Sequence, residues 1–259
     1  MRKWTGCLIT GAHFLVGGQS AEEEVHGKMM VVTENSRETV PVTERSTLHR
    51  KRERGIYDRA TIDAILDEGL ICHVGFTDGH STFVMPMNYA RVGDSLYFHG
   101  AASNRMLRVL GSGAQACVTV TLLDGLVFAR ASFHHSMNYR SVMLFGTGSR
   151  VDDLEEKLAA LTAIVEHVAP GRSADARPPT ASELRATLVV RVPIREASAK
   201  IRSGGPIDDA EDLELDIWAG ELPIEFNTGQ AIPAEGMSKG VVVPPYVAHY
   251  PMRRRTPES

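Results

Sequence analysis

Two short stretches hold most of the residues that could do chemistry. In YFHGAASNRMLRVLG, residues 97–111, an apolar run stops at His99, Gly100, Ala101 and Ala102; Ser103 and Arg105 follow, then an apolar helical run to Gly111. The small residues let backbone come close to a ligand. Ser103 can cap the helix or turn its hydroxyl to a ligand, and the first free N–H groups of a helix favour an anion. Arg105 adds a planar, permanently charged fork suited to phosphate oxygens. The alternative is a plain helix cap with a surface arginine. The stretch matches neither G-x-x-x-x-G-K-[ST] nor G-x-G-x-x-G, so it indicates neither an ATP loop nor a Rossmann turn.

The second stretch, ASFHHSMNYRSVMLFGTG, residues 131–148, crowds His134, His135, Ser136, Asn138, Tyr139, Arg140 and Ser141 at the mouth of a strand. That density favours a ligand site over a polar loop with one satisfied histidine. A metal reading of the histidine pair is poor, because adjacent strand residues point to opposite faces and no third ligand is near in sequence. No nucleophile elbow, kinase signature or paired catalytic carboxylates appear. Side chains this quiet argue that a cofactor supplies the reactivity.

The elements that must position these residues follow from periodicity. Asp58 reads as an N-cap, with Ile62, Ile65 and Leu66 on one helical face and Gly69 as the stop. The period then changes to two. LICHVGFT (70–77) and STFVMPMNYARV (81–92) are strands around an Asp-Gly turn, and Gly93-Asp94 leads into SLYFHGA. AQACVTVTLLDG (114–125), LVFARASF and YRSVMLFGTGSRV (139–151) give further strands. Asp152 caps a helix with Leu154, Leu158, Leu161, Val165 and Val168 on one face, ended by Pro170. GRSADARPPTASE is a loop by composition, and 184–201 is a last long strand, bent or edge-like at Pro193. Spacings this short leave no room for parallel crossovers, so the fold class is an antiparallel β-barrel with flanking helices.

The bulk numbers fit one large domain. The chain has 259 residues, 43% hydrophobic and 23% charged, with a net charge of -4 that gives no reason to expect nucleic acid as a partner. No apolar run approaches the roughly 20 residues of a membrane span. The N-terminal MRKW…GCLITGAHFLVGG resembles a signal peptide only faintly: its apolar part is short, broken by His13 and without an A-x-A site. Residues 1–44 read as a disordered leader or upstream extension, with alternative starts at Met29 or Met30. Residues 45–201 form the barrel and 202–259 an ordered extension packing on it. The block RKRER (50–54) reads as a solvated lead-in to a helix. Cys7, Cys72 and Cys117 match no zinc spacing; Cys72 and Cys117, in apolar strand-like runs, read as buried free thiols, which suits the cytoplasm.

Three segments carry a family resemblance: GLICHVGFTDGHSTFVMPMNYARVGDSLYFHGAASNRM (69–106), HHSMNYRSVMLFGTGSRV (134–151) and DIWAGELPI (216–224). Over roughly residues 45–235 the chain resembles the FMN-binding split-barrel superfamily. Within it, it is most similar to the pyridoxamine 5'-phosphate oxidase-like group that includes the nitroimidazole-resistance proteins. The resemblance implies a split β-barrel homodimer with FMN between subunits. It implies the FMN phosphate at Ser103 and Arg105, with His99 in the same strip. Met85, Pro86, Met87 and Asn88 would line the isoalloxazine ring, largely through backbone. Tyr139, Arg140 and Ser141 would join the site, from this subunit or its partner, and Trp218 would lie near the ring or pack within the extension. The C-terminal PMRRRTPES lacks the substrate-binding pattern of pyridoxamine phosphate oxidases. The implied activity is transfer of electrons from NAD(P)H to a small, electron-poor substrate, with His99, His134 or His135 as a proton donor. The alternative is a non-catalytic flavin- or haem-binding protein.

Overall fold

The structure is a computed structural model that describes residues 38–238 and 240–250. A short strand β1 (Gly55–Ile56) precedes α1 (Arg59–Glu68). The Asp58 side chain accepts from the Thr61 N–H and opens α1, which buries the expected stripe of Ile62, Ile65 and Leu66. Strands β2 (Cys72–Asp78) and β3 (Ser81–Met87) form a hairpin whose two-residue turn places Gly79 at φ 61°. Next come β4 (Ala90–Val92), β5 (Ser95–Ala101), α2 (Arg105–Gly111), β6 (Gln115–Phe128), β7 (Ser136–Thr147) and β8 (Ser149–Arg150). The chain continues through α3 (Leu154–Val168), α4 (Arg172–Asp175), α5 (Ala181–Ala186), β9 (Thr187–Pro193), β10 (Glu196–Arg202), β11 (Gly220–Pro223) and α6 (Pro245–Ala248).

All strand pairs are antiparallel. The large sheet runs β1-β10-β7-β6-β2-β3, with β11 added to the far half of β6, and the small sheet runs β4-β5-β9-β8. The two do not close on each other, so the architecture is an antiparallel split barrel. Between them lies the main core, where Val74, Phe98, Leu107, Val118, Leu144 and Val190 meet the buried face of α1. A second cluster of Tyr97, Val151, Ile164 and Val189 fixes α3 on the other face of the small sheet. That is why β9 is buried on both faces and reads as the continuous apolar run LVV.

Several boundaries differ from the periodic reading. The expected strand 81–92 divides at Asn88–Tyr89, because its two halves belong to different sheets. The two strands expected between 114 and 133 are one strand of 14 residues, kept continuous by a register shift between Leu123 and Gly125. The long strand at 184–201 becomes the end of α5, then β9 and β10 in separate sheets. Asn104 rather than Ser103 caps α2, and Asp153 rather than Asp152 caps α3. The loop expected at 171–183 holds α4 and the start of α5, opened by a reciprocal capping pair of Thr180 and Glu183.

The expected leader overlaps the barrel. Val40 is buried in the main core, Thr39 bridges Asp58, and Arg45 pairs with Glu196 while its guanidinium lies 4.8 Å from the Phe145 ring centroid. The alternative starts at Met29 and Met30, and Cys7, lie outside the described residues. In the extension, Asp208 is almost fully buried and accepts from the Arg130 guanidinium at 2.7 Å, and β11 pairs with β6. Burial pushes the Cys72 thiol up to about 12 and also raises Cys117. Among the described residues no helix is long and apolar enough to cross a membrane.

Candidate functional site

The first stretch folds into a strip along one edge of the barrel. β3 ends the large sheet and pairs with β2 alone. Half of its backbone N–H and C=O groups therefore point to an edge that no strand among the described residues covers. Its side chains are open too, with Val84 63% and Met85 44% exposed. Met87 packs partly on the core, and Pro86 and Asn88 are exposed. Beyond Asn88 the chain enters β4, where Ala90 lies opposite Tyr97 on β5, the strand that carries His99. From His99 the chain passes through Gly100, whose absent Cβ leaves room for the Leu107 side chain, to exposed Ser103 and the start of α2.

Arg105 opens that helix and is held by two partners that sequence spacing did not single out. Its Nε donates to Asp78 Oδ2 at 2.5 Å, and its guanidinium lies 4.3 Å from the Phe83 ring centroid. Phe83 in turn stacks on Phe76, with centroids 5.4 Å apart. This clamp uses Nε and one guanidinium face. Both terminal NH2 groups are left without a protein partner among the described residues. The only sequence trace of Asp78 was its Asp-Gly turn signal; Phe83 was one more apolar strand residue.

His99 faces the same side of β5 as Tyr97, towards α3. Burial lowers its pKa below the usual imidazole value, and its Nδ1 is buried without a hydrogen-bond partner among the described residues. The strip thus combines an uncovered strand edge, an exposed apolar surface, a free guanidinium fork and an unsatisfied ring nitrogen. These groups fit a flat, phosphate-bearing heterocycle. Backbone at the edge can match ring N–H and C=O groups, and the fork can take phosphate oxygens.

The second stretch is placed differently. β7 lies three strand steps from β3, roughly 14 Å at about 4.8 Å per step. Tyr139 and Ser141 face away from the core, and Ser141 Oγ donates to the Lys200 carbonyl at 3.4 Å. Within one chain they do not join the strip at β3. Arg140 faces inward and is 8% exposed. Its Nε and NH2 donate to Asp124, and its NH1 and NH2 donate to Glu68 at the end of α1. These bonds, Glu68 first, raise its pKa further above the usual guanidinium value. With all three nitrogens held by carboxylates and one NH1 hydrogen left over, Arg140 ties α1 to β6 and β7.

Trp218 lies at the far end of β6, 70% exposed, with its ring centroid 5.8 Å from that of Phe128. His135 meets the same Phe128 edge-on at 5.8 Å. His134 Nε2 lies 3.2 Å from Asp209 Oδ2, and folding brings ligand atoms of His134, Asp209 and Asp212 within 4.8 Å of one another. The carboxylates absent from the neighbouring sequence thus arrive from the extension. Neither His134 nor His135 shares the β3 strip.

The comparisons agree with this architecture. The family model described as pyridoxamine 5'-phosphate oxidase matches residues 58–201. The flavocytochrome Anf3 from Azotobacter vinelandii is 36% identical, with a TM-score of 0.75 over 80% of this chain and 97% of that one. An FAD- and haem-binding protein from Mycobacterium smegmatis is also 36% identical, with a TM-score of 0.72 over 75% of this chain and 95% of that one. A candidate 5-nitroimidazole antibiotic resistance protein from Bacteroides thetaiotaomicron is 28% identical, with a TM-score of 0.49 over 57% and 86% of the two chains. No curated protein matches the chain. A family match over more than half the length, with 36% identity to solved structures of the same architecture, places this chain in the pyridoxamine 5'-phosphate oxidase-like family of split barrels.

Proposed function

We propose that the protein is a flavin-dependent oxidoreductase that takes electrons from a nicotinamide and delivers them to a small, electron-poor acceptor. The observation that carries this reading is the strip of open valences at β3, β5 and the start of α2, in a chain 36% identical to two cofactor-binding split barrels. A bound flavin would supply the redox chemistry. Arg105 would hold the flavin phosphate with its terminal NH2 groups, aided by Ser103. The uncovered backbone of Met85–Asn88 would orient the ring. Val84 and Met85 would help exclude water around it. His99, neutral near pH 7, would accept or pass a proton through Nδ1.

The flavin expected from the family resemblance is FMN. FAD enters through the Mycobacterium smegmatis relative, an FAD- and haem-binding protein. That relative, together with the Azotobacter flavocytochrome, favours one second reading: this chain binds haem as well as flavin. The absorption spectrum of the purified protein separates these readings. Flavin bands bleached by NADH or NADPH support the oxidoreductase. An added Soret band supports the flavocytochrome. Flavin bands that neither nicotinamide bleaches would leave a carrier and end the nicotinamide reading.

The protein would act as a homodimer. Tyr139 and Ser141 stand too far from β3 to share a flavin in one chain, and flat cofactors bind between two walls. Light scattering should report twice the chain mass, and a flavin-loaded monomer would sink the idea. Free thiols at Cys72 and Cys117 suit a cytoplasmic location.

A further inference from the structure

A second site lies beside the strip. A cavity of about 580 Å³ opens between α2, α5, β8–β9 and the start of α3, and its lining includes Ala102, next to Ser103. Within the range of about 300–1,000 Å³ typical of ligand sites, it is large enough for a nucleotide. Four cations from four elements line it: Arg108 on α2, Arg150 on β8, Lys157 on α3 and Arg185 on α5. One carboxylate, Asp152, opposes them, in a chain whose net charge is -4.

How these cations are spent points to a ligand. Arg150 pairs with Asp152 at 2.7 Å, both exposed, so the pair is weak. Lys157 Nζ donates to the carbonyls of Leu184 and Thr187 at 2.8 and 2.6 Å, which ties α3 to the α5–β9 junction and leaves one donor over. Arg108 and Arg185 have no hydrogen-bond or ion-pair partner among the described residues. Like charges gathered in one concavity repel, and a polyanion relieves that repulsion. The remaining wall includes Leu107, Leu184 and Leu188. Charged fork donors beside an apolar wall match a phosphate attached to a flat, weakly polar ring system.

We propose that this cavity is a nucleotide-phosphate site that takes the adenylate portion of a dinucleotide. The presence of a dinucleotide rests on the oxidoreductase reading above, whereas the chemistry of the cavity does not. The adenylate can come from two sources, a dinucleotide flavin anchored at Arg105 or a nicotinamide donor. The test is calorimetric titration of the full chain, freed of bound cofactor, with ADP as probe. ADP should bind, adenosine should bind at least about tenfold more weakly, and Arg108→Ala/Arg185→Ala should weaken ADP by about tenfold or more. Neither arginine has a partner among the described residues, so the melting temperature of the double variant should stay at the wild-type value. No binding of millimolar ADP, or equal binding by wild type and variant, overturns the proposal. The source follows from two further arms. A collapse of the FAD-over-FMN preference in the variant assigns the adenylate to the flavin. A raised KM for NADPH with that preference intact assigns it to the donor. If the protein binds no flavin at all, the oxidoreductase reading fails and the ADP result still decides the cavity.

Discussion

Around Arg140, on the inner face of β7, four of the five N–H donors are engaged: two carboxylates, Glu68 and Asp124, hold all three guanidinium nitrogens between them. Around Arg105, at the start of α2, one nitrogen and one ring face are engaged and the rest is open. In the sequence Arg105 reads as a phosphate ligand, and the family resemblance puts Arg140 in the same cofactor site. Folding gives Arg140 a closed set of partners and Arg105 an open one. A closed set locks elements together. An open set is held in place by the fold and completed by something else, which is how a ligand site differs from a structural ion cluster.

The comparison breaks most visibly at Arg140. Arg140→Ala leaves Glu68 and Asp124 facing each other without their cation. Removing one partner of a fully buried pair costs about 3–5 kcal/mol, and the part-exposed carboxylates here reduce that to about 2–3 kcal/mol. The melting temperature should fall by roughly 5–10 °C, while flavin affinity measured well below the transition stays within about twofold, a difference of only ~0.4 kcal/mol. Calorimetry with flavin titration checks both. Weaker flavin binding at unchanged stability would make Arg140 a ligand residue and erase the contrast.

Arg105→Ala should do the reverse. Its ion pair with Asp78 is exposed and contributes at most about 1 kcal/mol to stability. A charge-assisted bond to phosphate is worth about 1.5–3 kcal/mol, so FMN affinity should fall about ten- to a hundredfold. Riboflavin, which lacks the phosphate, should bind as before, and Arg105→Lys should recover part of the loss, since a point charge cannot reproduce the fork. Fluorescence quenching titrations decide it. Equal weakening of FMN and riboflavin would mean that Arg105 acts through folding.

Phe83→Leu probes the platform rather than the fork. A cation–π contact at an exposed site is worth about 0.5–1 kcal/mol, so FMN binding should weaken about two- to fivefold, again with riboflavin spared. An effect on both flavins would place Phe83 against the ring itself.

How much of this was legible in the sequence follows from where each signal lived. The hairpin at Gly79, the stripe on α1 and the alternation of β2 and β6 are local patterns, and they gave the antiparallel barrel. The division of 81–92 and of 184–201 between two sheets was not local, since a strand that changes sheet keeps its period. Arg105 could be named because its helix start follows directly from its strand. Its clamp could not, because Asp78 and Phe83 come from a hairpin that only tertiary packing brings near. The partners of Arg140 were hidden for the same reason: Glu68 and Asp124 lie far off in the chain and carry no spacing signal. The basic cavity was invisible, with its four cations on four elements.

The smallest effect belongs to His99, the other open valence of the strip. Burial holds its folded-state pKa below 6.5, the ordinary value, and leaves Nδ1 without a partner. Between 6.5 and that lower value the unfolded chain binds a proton that the folded chain refuses. The His99 contribution to stability is therefore complete above 6.5 and is lost as the pH falls through the window below it. His99→Gln carries no titrating group, so its urea midpoint should fall less than that of wild type between pH 7.5 and pH 5.5, with the two proteins alike in slope. Groups that titrate elsewhere in the chain shift both proteins together and drop out of the difference. If both midpoints move in parallel, His99 does not resist protonation and its Nδ1 is reached by water or by a neighbouring acceptor. If the difference vanishes only when flavin is bound, the ligand itself supplies the missing partner, and the strip closes its last open valence on binding.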